Sequence, residues 1–232
     1  MIPYGRQSIS QEDIDAVVDV LKSDFLTQGP AIKIFEDTVK NYCKSKYAVS
    51  FNSATSALHI ACMALGVTKG DYVWTSAITF VASSNCALYC GASVDFVDID
   101  NDTNNICVNK LEDKLKEAKL NKNLPKVVIP VHLTGQSCDM EKIKELSLEY
   151  GFKIIEDASH AIGGKYANEN IGNCKFSDIT VFSFHPVKII TTAEGGLATT
   201  NDKNLNNKLS VLRTHGITRD HNMLHNKDEG PW

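Results

Sequence analysis

Lys188 lies in "TVFSFHPVKIITTAEGG" (residues 180–196), just past a His-Pro pair and between apolar or small neighbours. A lysine held in partly apolar surroundings has a weakened preference for its charged form and becomes a usable amine. Such an amine can condense with an aldehyde. Asp157 ends the apolar run "FKII" and opens "EDASHA". A carboxylate at the end of a buried strand needs a partner. A cationic ring nitrogen would serve, and a helix N-cap is the ordinary alternative. His160, three residues on, can reach the same carboxylate or ring. Ser183 and His185 close the apolar run before Lys188. His132 closes "KVVIPVH" and reads as a structural histidine.

Two further stretches follow apolar runs. "NSATSALH" (residues 52–59) places small hydroxylated residues where a strand turns into a helix. Free backbone N–H groups and the positive helix end suit a phosphate there, and plain N-capping suits the same residues. The stretch lacks Gly-Lys-Ser/Thr and GxGxxG, so it is neither a nucleotide P-loop nor a dinucleotide fingerprint. Phe80 follows "DYVWTSAIT" and can stack on a planar ring or fill a core. Each signal alone has an ordinary reading. Their order is more specific: phosphate turn, aromatic, strand-end acid, strand-end serine, lysine. Those are the parts that hold pyridoxal phosphate, with the acid protonating the ring nitrogen and Lys188 carrying the aldehyde.

Positioning these residues requires strands that end where they stand. "YAVSF", "DYVWTS", "SVDFVDID", "KVVIPVH", "FKIIED", "ITVFSFH" and "GGLATT" read as strands. Helical patterns alternate with them: "NSATSALHIACMALGV", "TFVASSNCALYCG", "NKLEDKLKEA", "MEKIKELSLEYG" and "DKNLNNKLSVLRTHG". Two more helices precede the first strand. One opens at Ser10 with an apolar stripe of Ile14, Val17, Val18 and Leu21. The other follows Gly29-Pro30, with Phe35, Val39 and Tyr42 on one side. Alternating strands and helices predict an α/β fold, a mainly parallel sheet sandwiched by helices. Ligands of such sheets bind at the carboxyl ends of the strands.

Composition narrows the class. The chain has 232 residues, 43% of them hydrophobic, and a net charge of −4, which gives no nucleic-acid footprint. Its seven cysteines are odd in number and irregularly spaced, and no zinc pattern completes around Cys86 and Cys90. Buried free thiols of a reducing compartment are expected. The N-terminus has no apolar h-region and no run is long enough to span a membrane, so a cytoplasmic protein is predicted. "RTHGITRDHNMLHNKDEGPW" is polar and without periodicity, which predicts that the chain stops before a second domain.

The pieces "FLTQGP", "NSATSALHIA", "SAITFVASSN", "VDID", "PVHLTGQ", "IIEDASHAIGGKY", "FSFHPVKIITTAEGG" and "RTHGI" run in order along nearly the whole chain. In them the sequence resembles the sugar aminotransferases of the DegT/DnrJ/EryC1/StrS group. The resemblance implies a fold-type I aminotransferase large domain over residues 1–232, with the C-terminal small domain missing. It implies that Lys188 is the cofactor lysine and general base, and that Asp157 pairs with the pyridine nitrogen, supported by His160. Phe80 would stack on the ring, and Thr55, Ser56 and Ser183 would hold the phosphate. No metal is implied. "FLTQGP" and "SFHPVKIITTAEGG" look most like members that use L-glutamate to aminate a UDP-linked 4-keto-6-deoxy-N-acetylhexosamine for pseudaminic acid synthesis. Another nucleotide-linked keto-sugar, aminated at C3 or C4, and a non-catalytic cofactor-binding remnant are the alternatives. Members that dehydrate sugars carry histidine at the lysine position, and this chain keeps Lys188. A homodimer is implied, together with a "GYNYR"-like segment that this sequence does not contain.

Overall fold

The computed structural model describes residues 5–218 and 220–224. The expectation for the end of the chain falls partly on residues 225–232, outside the described residues. Seven helices carry the alternation: α1 Gln11–Lys22, α2 Pro30–Cys43, α3 Ala54–Ala64, α4 Ala82–Tyr89, α5 Val108–Asn121, α6 Met140–Tyr150 and α7 Lys203–Arg213. The strands are β1 Tyr47–Phe51, β2 Tyr72–Ser76, β3 Ser93–Val97, β4 Val127–Ile129, β5 Lys153–Asp157, β6 Lys165–Tyr166, β7 Glu169–Asn170, β8 Ile179–Ser183 and β9 Gly196–Thr200.

Seven of the strands form one sheet in the order β1-β9-β8-β5-β4-β2-β3. All its pairings are parallel except those of β9, which runs against both β1 and β8. The strands β1, β2, β4, β5 and β8 therefore end on one edge of the sheet. Burial on both faces explains their near-continuous apolar sequences. On one face, Ala57, Leu58 and Ala61 of α3, Cys86 of α4 and Leu209 of α7 pack on Val73, Ile129, Ile155 and Val181. On the other, Leu111 and Leu115 of α5 and Ile143 of α6 pack on Trp74, Val128 and Ile154. Strand alternation then puts Asp157 on the Ile155 face and Glu156 on the opposite one.

Several local expectations change. The strand expected over "KVVIPVH" stops at Ile129, because Pro130 has no N–H for the ladder, and it resumes only as a bridge from Val131 to Asp157. The two-stranded hairpin β6–β7 lies outside the strands read from the sequence. Its turn residues Ala167 and Asn168 both have positive φ, as a type I′ turn requires. In α2, Val39 is buried and Phe35 half-buried, but Tyr42 is exposed while Glu36 and Cys43 are buried. The α1 stripe packs into no described core: Ile14, Val17 and Leu21 are exposed. That helix is held locally by a capping box between Ser10 and Asp13. All seven cysteines are free, five of them buried. Among the described residues no helix is long and apolar enough to cross a membrane.

Candidate active site

The edge where β1, β2, β4, β5 and β8 end encloses a cavity of about 440 Å³. Thr55, Phe80, Asp157, His160, Ser183 and Lys188 all line it. Ser56 does not, and faces a neighbouring cavity of about 720 Å³. That larger cavity has Arg213 in its wall, already paired with Glu36 at 2.5 Å. The smaller cavity is where an acid, an amine and a free helix end converge.

Helix α3 enters the cavity by its N-terminus. Ser53 caps it, its side chain accepting from the Ser56 amide at 3.1 Å. The amides of Ala54 and Thr55 find no acceptor among the described residues, so they remain open to an anion. Gly196 brings this turn against the sheet. It pairs with both Phe51 and Ser183, and a side chain on it would run into the Ser53 carbonyl and the Ala54 amide. Only glycine permits that approach, and it places Ser183 beside the start of α3.

Asp157 is 4% exposed. The helix N-cap alternative does not apply, since no helix follows it. Its Oδ1 accepts from the Ser159 amide at 3.1 Å and the Ser159 hydroxyl at 2.6 Å, and its Oδ2 accepts from the Ser83 hydroxyl at 2.6 Å. His160 was expected to support this carboxylate. Its Nδ1 instead accepts from the Thr134 amide at 3.2 Å, which in the neutral ring leaves the hydrogen on Nε2. Thr134 takes φ +55° to make that contact, and a Cβ on the following Gly135 would stand 2.9 Å from the His160 carbonyl oxygen. His160 is therefore held by a tight turn after β4. Burial and the nearby Lys188 lower its pKa, and Asp157 opposes them.

Lys188 sits half-buried on the turn after β8, its amide donating to the His185 carbonyl at 2.9 Å. Burial lowers its pKa from the ordinary lysine value, and Asp157 works against that. Phe80 is 71% exposed on the cavity wall, a large aromatic face with most of its surface still uncovered. His132, read as structural, is fully buried on the far side of the sheet. Its Nε2 lies 2.8 Å from Glu156, and its Nδ1 accepts from the Cys138 amide at 3.2 Å. Burial opposes a charge on His132, while Cys138 and Glu156 favour one enough to move its pKa up to about 10. The Cys138 amide must still leave Nδ1 before a second ring hydrogen fits.

Ser83, Thr79 and Thr134 belong to the site and were not read from the sequence. Ser159 was available in the pattern Asp-x-Ser, an Asx-turn. Ser83 stands 74 positions from Asp157, and nothing local marks it.

The DegT/DnrJ/EryC1/StrS aminotransferase family profile matches residues 7–229. A UDP-4-amino-4,6-dideoxy-N-acetyl-beta-L-altrosamine transaminase of Campylobacter jejuni is 43% identical over 221 residues, covering 94% of this chain and 56% of its own length. The solved structure of Helicobacter pylori PseC, an aminotransferase involved in pseudaminic acid biosynthesis, superposes with TM-score 0.86 at 36% identity, covering 94% of this chain and 57% of that one. The PLP-form structure of Spr1654 from Streptococcus pneumoniae superposes with TM-score 0.82 at 32% identity, covering 94% and 59%. The chain thus spans a little over half the length of the relatives it matches. With this fold and these site residues, the chain belongs to the DegT/DnrJ/EryC1/StrS aminotransferase family.

Proposed function

We propose that this chain, residues 1–232, is the cofactor-binding large domain of a pyridoxal phosphate-dependent transaminase. Its substrates are L-glutamate and a UDP-linked 4-keto-6-deoxy-N-acetylhexosamine, on the route to pseudaminic acid or a related surface glycan. The observation that carries this is one cavity with an anion-ready helix end, an exposed aromatic, a buried carboxylate and a desolvated lysine. Pyridoxal phosphate fits that donor set. When bound, it supplies an aldehyde for the amino group and a cationic ring that draws off electron density.

The amides of Ala54 and Thr55, with the Thr55 and Ser183 hydroxyls, bind the phosphate, and Ser56 secures the turn through Ser53. Phe80 would cover one ring face and exclude water from it. Asp157 holds a proton on the ring nitrogen. Lys188 would hold the cofactor through its amine and, once released from it, would act as the general base that takes and returns the proton at the donor Cα. Partial burial lowers the pKa of this amine and so favours the neutral form that a base requires. The same Lys188 would supply the proton on the keto-sugar side of the reaction.

A homodimer in the cytoplasm completes the reading. Phe80 and Val187 line the cavity and remain exposed, and Ile189 and Ile190 beside Lys188 are exposed too. A second copy would cover this apolar rim. The seven free cysteines suit a reducing compartment.

Adding pyridoxal phosphate to the purified protein tests the proposal. A visible absorption band should form, be absent in Lys188→Ala, and move to the near ultraviolet with L-glutamate as 2-oxoglutarate appears. The same spectrum from folded wild-type and Lys188→Ala protein would refute the role of Lys188.

A further inference from the structure

Asp157 is held by more than its own turn. Its Oδ2 takes a 2.6 Å hydrogen bond from Ser83, a fully buried residue of α4, and the Ser83 hydroxyl lies 2.7 Å from that of Thr79. The direction of this chain follows from its end. A carboxylate only accepts, so the single Ser83 hydroxyl hydrogen goes to Oδ2, and Thr79 must then donate to Ser83. Serine inside a helix usually turns its hydroxyl back to a carbonyl four residues earlier. Ser83 turns instead to the side chain at that position and to Asp157. Thr79 lines the cavity itself.

We infer that Thr79 and Ser83 are positioning residues, a hydroxyl relay that aims the Asp157 carboxylate at the ring nitrogen of the bound cofactor and keeps it there. The inference rests on the role given to Asp157 in the proposed function. Ser159 fixes Oδ1 from the carboxylate's own loop, whereas Ser83 fixes Oδ2 from a different helix. With donors from two elements on its two oxygens, the carboxylate plane cannot rotate without breaking a hydrogen bond. A chain of hydroxyls ending on a charge also strengthens each link. His160 and Lys188 are the other titratable groups that act on this carboxylate through space. Neither hydrogen-bonds it, so its aim depends on the serines. The relay has backing of its own: the Cys86 thiol donates to the Ser83 carbonyl at 3.3 Å and closes that turn of α4.

The test uses holoenzyme loaded with pyridoxal phosphate labelled with ¹⁵N in the ring, read by the ¹⁵N chemical shift across pH and by the cofactor dissociation constant. Wild-type protein should show a protonated ring nitrogen. Ser83→Ala should bind the cofactor about tenfold more weakly and lose the ring proton at a pH lower by roughly one unit. Thr79→Val should shift the signal in the same direction by less, and Ser83→Thr, which keeps the hydroxyl, should restore it. Suppose the nitrogen is protonated in wild type and loses its proton in Asp157→Asn, yet Ser83→Ala follows the wild-type curve. Then the relay is refuted while the role of Asp157 stands, and a drop in unfolding midpoint alone would mark Ser83 as merely structural. A wild-type nitrogen without a proton, or one unaffected by Asp157→Asn, would overturn the role of Asp157 and the relay with it.

Discussion

Phe80 offers a clean separation of folding from binding. At 71% exposure it contributes little to the core, so truncation to alanine should change folding stability by no more than about 0.5 kcal/mol. The comparison is Phe182, fully buried in β8, where the same change should cost about 3–5 kcal/mol. Binding is another matter. Aromatic stacking contributes about 0.5–1.5 kcal/mol beyond area, and most of the Phe80 face is still open to be covered. Adding part of the roughly 1.5–3 kcal/mol for burying a phenylalanine brings the expected loss to about 1–3 kcal/mol. That is roughly a 5- to 150-fold weaker cofactor. Phe80→Leu keeps apolar area without the π face and should fall between the two. Urea unfolding of the cofactor-free protein gives the stability, and a fluorescence titration with pyridoxal phosphate gives the affinity. The reasoning is refuted if Phe80→Ala unfolds as readily as Phe182→Ala, or if the cofactor binds the variant within twofold of wild type.

The buried pair behind the site should dominate stability. Removing His132 leaves Glu156 without its imidazole partner and the Cys138 amide without an acceptor. His132→Ala should therefore cost about 3–5 kcal/mol, and Glu156→Gln, whose one carbonyl oxygen can still accept from His132 on one side or Thr180 on the other, about 1–3 kcal/mol; equal losses in urea unfolding would contradict this ordering. Burial acts to raise the Glu156 pKa, but the hydrogen bonds from His132, Ser177 and Thr180 outweigh it and the net shift is downward. Its contribution to stability is thus full above the ordinary value of about 4.5 and is lost as pH falls through the lower folded value. Acid unfolding midpoints should show it, with Glu156→Gln losing less stability than wild type over that range. Gly135→Ala places a Cβ against the His160 carbonyl at φ +94°; a loss of about 1–3 kcal/mol is expected, with a changed His160 titration in NMR spectra, and an unaltered titration would show that the turn does not hold His160.

The lining of the candidate site was more legible than its supports. Six of the seven site residues expected from the sequence line one cavity, because each follows an apolar run that becomes a strand, and parallel strands deliver their ends to one edge. The seventh, Ser56, sits one helix position beyond Thr55 and points to the neighbouring cavity. A turn of about 100° per residue separates neighbours that a linear reading groups together. His160 lines the same cavity as Asp157, but its hydrogen-bond partner is a backbone amide from the turn after another strand.

By itself the sequence determined the alternation of strands and helices, the residue types that line the candidate site and the membership of the family. These depend on local periodicity and on side-chain types, which any stretch of chain carries with it. The reversal of β9, the truncation of β4, the open face of α1 and the grip of Ser83 on Asp157 were decided only by the tertiary structure. Each depends on which distant residue comes to lie opposite, and a pairing across 74 positions leaves no mark on either partner's neighbours.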